Sequence, residues 1–293
     1  MFASVWLLAG LWLQCDLTAG IAAMSVMLFA VSLVDDLRPL SAVLRLLVHA
    51  AMAILVVLFW VRTFGLALNS PSRLIAWLVS PFGAGALVLA LIWMTNLYNF
   101  MDGADGIAAG MTVIGFGAYA IALATAPDPA ASLGLLTSAV AGAGAGFLAV
   151  NFPPAKVFLG DAGSIPLGFL SAALGIHGEL LGLWPWWFPL LVFSPFIVDA
   201  TATLARRTAQ GERPWVAHRD NYYQRLILSG WGQKKTALAY YFVMLVSGIS
   251  ALGALRAGDP SVILIAWVIT YGLLLFLLEW RLHEKEKQHL KKQ

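Results

Sequence analysis

Charge is what this sequence has least of. Asp, Glu, Lys and Arg make up 11% of its 293 residues, against about 25% in a soluble globular domain. With 60% hydrophobic residues and a mean hydropathy of +0.82, the chain reads as a membrane protein. A single cysteine, Cys15, excludes an internal disulfide framework and most cysteine-built metal sites. Residues 1–13 lack the basic start and small-residue cleavage site of a signal peptide. No polar stretch is long enough to bury a core of its own, no internal repeat stands out, and nothing in the pattern calls for nucleic acid. One polytopic domain, residues 1–293, is therefore expected.

What is abundant is apolar runs of helical length, where about 20 residues span a bilayer. Ten spans are expected, making an all-α fold: Phe2–Leu13 (short), Thr18–Val34, Ser41–Val61, Phe82–Tyr98, Gly106–Ala126, Ser132–Val150, Ser164–Leu183, Trp186–Ala205, Thr236–Leu255 and Ser261–Trp280. Small residues inside them, such as Gly142, Gly144 and Gly146, allow close helix packing in lipid. Such faces serve packing within one chain and a homodimer equally well.

Ten spans put alternate loops on opposite faces. Of the eighteen Lys and Arg, only Arg62, Arg73 and Arg256 fall on one face, and the other fifteen lie on or beside its opposite. The positive-inside rule makes the basic face cytoplasmic, with both termini on it. A loop over residues 206–235 and a tail over 281–293, suited to an anionic lipid surface, belong to that face.

Every polar cluster of note falls there too. Asp35 and Asp36 end the second span. The stretch NLYNFMDGADGIAAG (Asn96–Gly110) carries Asn99, Asp102 and Asp105 between two spans. Asn151 opens NFPPAKVFLGDAGS, with Asp161 in a Gly-rich turn leading to Ser164. Asp199 sits two turns before Arg206, a spacing that places acid and base on one helical face. The loop carries HRDNYYQRL, from His218 to Leu226. Acids at a membrane interface are costly and tend to mark function. With no cysteine among them, and few histidines, they favour a hard oxygen-bound cation over zinc. Mg²⁺ takes one or two protein carboxylates, waters and phosphate oxygens. Arg and Lys would clamp the remaining phosphate oxygens. Ser164 and the amides after it, at a helix start following Gly163, offer a further place for an anion.

VDD (Val34–Asp36), NLYNFMDGADGIA (Asn96–Ala108), NFPPAKVFLGDAGS (Asn151–Ser164) and the His218 loop resemble, in order and spacing, the polyprenyl-phosphate N-acetylhexosamine-1-phosphate transferases, glycosyltransferase family 4. The loop HRDNYYQRL is most similar to the O-antigen-initiating branch, a relative of the peptidoglycan phospho-MurNAc-pentapeptide transferase. The resemblance implies transfer of a sugar-1-phosphate from a UDP-N-acetylhexosamine to undecaprenyl phosphate, with release of UMP, at the cytoplasmic face of the bacterial inner membrane. It implies Mg²⁺, with Mn²⁺ as a substitute. Carried over by residue, Asp161 is the expected metal ligand, and Asp35 and Asp36 activate or position the lipid phosphate. Asn99, Asp102 and Asp105 shape the metal–diphosphate or nucleotide pocket. Asn151 orders the GDAGS turn, and His218, Arg219 and Arg225 contact sugar or diphosphate, with Asp199 counted among the substrate-binding residues. An apolar groove between helices is expected to admit the prenyl chain.

Two departures from the family pattern stand out. A further N-terminal helix and a basic, proline- and glycine-bearing loop are missing, which raises a truncated or inactive paralogue as the alternative. Asn221 stands where many relatives carry a second histidine, and Asn cannot become cationic. A transporter would instead hold its acids near the bilayer midplane in paired broken helices, a pattern this sequence does not show.

Overall fold

In a computed structural model of the chain, residues 16–64, 73–126, 130–213, 219–257 and 259–290 are described. Among them the fold is all-helical, with no strand. That is the arrangement lipid imposes, because a helix satisfies its own backbone polar groups where no water can. The elements are α1 (Asp16–Leu37), α2 (Ala42–Phe64), the short α3 (Arg73–Leu78), α4 (Pro81–Phe100), α5 (Ile107–Ala124), α6 (Ala131–Asn151) and α7 (Gly160–Leu180). They continue with α8 (Trp187–Val192), α9 (Ser194–Ala209), α10 (Tyr222–Leu226), a wide turn at Ile227–Trp231, α11 (Gly232–Ala254) and α12 (Ser261–Leu290).

Helix α7 is the centre of the bundle. Most of its residues are buried, from Ala162 to Leu180, and it packs between α1 and α4. A Cβ on Gly168 would lie 2.6 Å from the Met94 carbonyl of α4, so the two backbones meet with no side chain between them. Because helices rather than lipid surround α7, it accepts Ser171, His177 and Glu179 in its C-terminal half. Helix α5 packs against α6 and α11, and a Cβ on Gly144 would meet Thr112 at 2.8 Å. At the end of α7 far from Gly160, an aromatic cluster locks three elements together. Tyr119 stacks on Trp184 at 4.9 Å and donates to the Ser171 carbonyl at 3.0 Å. Trp184 Nε1 donates to the Gly175 carbonyl at 2.9 Å.

The described helices bear out a polytopic bundle without confirming the count of ten. Seven helices among the described residues are long and apolar enough to cross a membrane, and Phe2–Leu13 lies outside the described residues. The run Ser164–Leu183 is helical from Gly160 but too polar to count, for the reason just given. The run Trp186–Ala205 is two helices broken at Phe193, with Pro195 in the first turn of the second, where proline's missing N–H has no partner to lose. The stretch read as a loop over 206–235 is helical at both ends, since α9 reaches Ala209 and α10 begins at Tyr222. Most of α12 turns Val262, Val268, Ile269, Leu273 and Phe276 outward, as a lipid-facing helix should.

Candidate active site

The start of α7 is where the acids meet. Gly160 opens the helix from a left-handed backbone conformation, φ 67°, and its neighbour Leu159 supplies no side-chain cap. The orphan amides of a helix start attract negative charge, and two aspartates from elsewhere in the chain supply it. Asp36, at the end of α1, accepts from the Ala162 amide through Oδ2 at 3.2 Å. Asp102, from the turn between α4 and α5, accepts a hydrogen bond from the Gly160 amide. Asp161, in the helix's own first turn, stands beside both.

Its orientation is fixed by α4 and α2. Asn99 Nδ2 donates to Asp161 Oδ1 at 2.7 Å and to Ser164 Oγ at 2.9 Å. Arg45 Nη1 lies 3.4 Å from Asp161 Oδ2 and 3.1 Å from Asp35 Oδ2, joining the two carboxylates. Asp35 is buried and also accepts from the Leu40 amide at 2.6 Å. Of the adjacent pair, then, Asp35 builds the α1–α2 turn, and exposed Asp36 faces the cluster. Four carboxylates thus gather at the start of α7, two of them on the Arg45 guanidinium. The Asp102 carboxyl is pushed well above the usual aspartate range, by burial first and then by the nearby charges of Asp161 and Asp36, with the Gly160 hydrogen bond opposing them.

Asp105 and Asn151 hold the surrounding loops. Asp105 Oδ2 accepts from the Ala155 amide at 3.0 Å, and its own N–H reaches Gln233 Oε1 at 3.3 Å. Buried Asn151 accepts from the Gly106 amide at 2.9 Å and donates to the Val157 carbonyl at 2.8 Å. Gly106 sits at φ 75°, and a Cβ there would press on the Tyr241 hydroxyl at 2.5 Å. That hydroxyl in turn donates to the Gly106 carbonyl at 2.8 Å.

The remaining sequence candidates stand apart from the cluster. Asp199 is buried under the start of α10, where it accepts from the Tyr222 amide at 2.8 Å, the Tyr223 amide at 3.1 Å and the Tyr240 hydroxyl. Its expected partner Arg206 instead donates to the Asp220 carbonyl at 2.8 Å and lies 3.7 Å from Glu279, because α10 reaches Asp199 first. Arg225 forms a two-bond pair with Glu279 of α12, at 2.6 and 3.1 Å. Arg219 is exposed, and His218 lies outside the described residues. Ser164 is not at a helix start: α7 begins a turn earlier, and the Ser164 hydroxyl donates back to the Gly160 carbonyl at 3.0 Å.

Sequence reasoning missed Arg45, Gln233, Tyr223 and Tyr240. Only Arg45 carried a signal, as a cation one turn into an apolar helix, where it is costly without a partner.

Among the described residues, no three His, Cys, Asp or Glu side chains form a ready-made metal cage. One or two carboxylates completed by water and phosphate oxygens would suffice for Mg²⁺. Crowded acids at Asp36, Asp102 and Asp161, in excess over the one arginine, suit such a cation by charge and by donor type. An apolar cavity of about 460 Å³ runs between α4, α7, α8 and α9, lined by Leu87, Met94, Ile176, Phe193 and Ile197 among others. Its Met94 end is five residues, about 7 Å of helix rise, from Asn99.

Residues 18–179 match the family described as "Glycosyl transferase family 4". A probable undecaprenyl-phosphate N-acetylglucosaminyl 1-phosphate transferase from Bacillus subtilis is 28% identical over 84% of this chain and 68% of its own length. A phospho-N-acetylmuramoyl-pentapeptide-transferase from Levilactobacillus brevis is 30% identical over 69% of this chain. One from a Picosynechococcus species is 33% identical over 62%. The chain spans 61% and 48% of the lengths of these last two relatives.

Proposed function

The chain belongs to glycosyl transferase family 4, and from that premise we propose that it moves an N-acetylhexosamine-1-phosphate from a UDP-sugar onto undecaprenyl phosphate. A phosphate oxygen of the lipid forms the new bond to the sugar-linked phosphorus, the bond from that phosphorus to the bridging oxygen breaks, and UMP departs. The product is an undecaprenyl-diphosphate sugar. One observation carries this reading: four aspartates and Arg45 converge on the start of α7, at the end of the bundle where helices α1, α4 and α6 finish.

In this reading Asp161, oriented by Asn99, and Asp36 or Asp102 hold Mg²⁺, which offsets charge on the diphosphate when bound. Arg45 is placed to contact a phosphate oxygen beside Asp161. Asp36, exposed at the end of α1, meets the lipid phosphate at headgroup depth. Asp105 and Asn151 hold the loops that wall the pocket, and His218 and Arg219 contact the sugar or diphosphate. The apolar cavity beside Met94 takes part of the prenyl chain. The excess of Lys and Arg on this face supports a cytoplasmic site and bacterial inner-membrane location. Similarity of the HRDNYYQRL loop supports a role in starting O-antigen or another envelope polysaccharide.

Membranes holding this chain, supplied with Mg²⁺, undecaprenyl phosphate and radiolabelled UDP-GlcNAc, UDP-FucNAc or UDP-QuiNAc, test the proposal. Butanol-soluble label is expected with one of these sugars, and it should vanish with EDTA and with Asp161→Ala. No label from any of them, beside an active relative assayed in parallel, overturns it.

A further inference from the structure

We propose that Tyr223 is a positioning residue for this reaction, its hydroxyl fixing the turn that aims Asp102 at the start of α7. The inference rests on the functional reading above.

Tyr223 lies 120 positions from the turn it holds, yet its side chain is fully buried against it. Its hydroxyl donates to the Phe100 carbonyl at 2.9 Å and accepts from the Gly103 amide at 3.0 Å. Those two groups flank Asp102 on either side. A single oxygen thus closes the turn across the residue whose carboxylate meets the Gly160 amide. Gly103 is required for this approach, because a Cβ there would fall 2.3 Å from the hydroxyl. The clamp has a rigid base. The Tyr223 amide donates to buried Asp199, which also receives the Tyr240 hydroxyl, and the Tyr223 and Tyr240 rings meet edge to face at 6.3 Å. Asn221 and Gln224 complete a reciprocal cap at the same helix start. The segment after His218 is therefore tied mechanically to the acid turn.

Packing alone does not need the hydroxyl, since phenylalanine would fill the same space. Only the two hydrogen bonds to the turn would go. A positioning group of this kind acts on the chemical step more than on binding, so its loss should lower kcat and leave KM nearly unchanged.

The test compares Tyr223→Phe with the full wild-type chain in lipid nanodiscs, by hydrogen exchange over residues 100–106 and by steady-state kinetics. Exchange at the Gly103 amide should quicken by about tenfold or more. kcat should fall by about tenfold or more, with both KM values within about twofold. A second variant guards against misfolding. Gly103→Ala pushes the hydroxyl out of the turn and should show the same kinetic signature. In the Tyr223→Phe background it should add less than it does alone, because the nearest clashing atom is gone and only the flexible Gln224 amide, 2.7 Å from the new Cβ, still has to move; such non-additivity is the mark of direct contact. Unchanged kcat and unchanged Gly103 exchange overturn the proposal, and so does a rise in KM at constant kcat, which would make Tyr223 a substrate contact. If the wild-type chain transfers no sugar phosphate, the functional reading fails, while the exchange arm still decides whether the clamp exists.

Discussion

Replacing Asp199 separates two roles that the sequence alone leaves together, substrate contact and helix anchor. In the fold its carboxylate, 4% exposed, receives two backbone amides and the Tyr240 hydroxyl. Asp199→Ala removes the acceptor of the two amides and of the Tyr240 hydroxyl, and also that of the Thr203 hydroxyl at 3.3 Å, which can turn to a carbonyl of its own helix instead. Each unsatisfied donor costs about 1–3 kcal/mol, so the floor is about 3 kcal/mol, and water entering the gap keeps the total near that floor. For a chain of this size, about 2–4 °C is lost per kcal/mol, which makes a fall of about 6–12 °C in Tm. Asp199→Asn keeps one accepting oxygen but sets an amide N–H₂ against a donor, so it should fall between alanine and wild type. Thermal unfolding of detergent-solubilised protein, followed by the fluorescence of its twelve tryptophans, measures this directly. A Tm for Asp199→Ala within about 2 °C of wild type, with KM for the nucleotide sugar raised about tenfold or more, would refute the anchor and return Asp199 to the binding pocket.

Two further outcomes follow from the acid cluster. Arg45→Ala should cut transfer by about tenfold or more, equivalent to about 1.4 kcal/mol of barrier, with a smaller effect on Tm because the guanidinium is 39% exposed and partly screened; a rate equal to wild type would rule Arg45 out of the site. Asp102→Asn should abolish most activity yet stabilise the metal-free protein, increasingly so as pH rises. The raised carboxyl of Asp102 costs the folded state nothing below the ordinary aspartate range, progressively more as pH climbs towards its raised value, and the full amount above it. Melting curves of both proteins in EDTA between pH 4 and 8 should therefore diverge upward in pH, and a constant gap would contradict the charge crowding.

Much of this was legible in the sequence, and the reasons differ by residue. Apolar runs of helical length announced the membrane helices, and the gathering of Asp36, Asp102 and Asp161 on one face followed from counting spans. What the sequence hides is pairing across long separations. Tyr223 reads as one aromatic in a polar loop until its hydroxyl is seen against Gly103. Asp199 and Arg206 have the spacing of an ion pair, but amides at the start of α10 compete better for a buried carboxylate than a guanidinium with other partners. The break at Phe193 was masked because hydrophobicity runs on through it. The true start of α7 was masked too, since glycines on both sides of Asp161 offer two equally plausible turns.

The polarity of α7 has a consequence for how the protein is made. A segment carrying Asp161, Ser171, His177 and Glu179 partitions poorly into lipid by itself, so it should enter the bilayer only as the companion of α1 and α4, already synthesised and waiting. The acids of α1 and of the α4–α5 turn would then lie beside an unfinished partner until α7 leaves the ribosome. Tyr223 emerges later still, which makes the competent site one of the last features of the chain to be assembled.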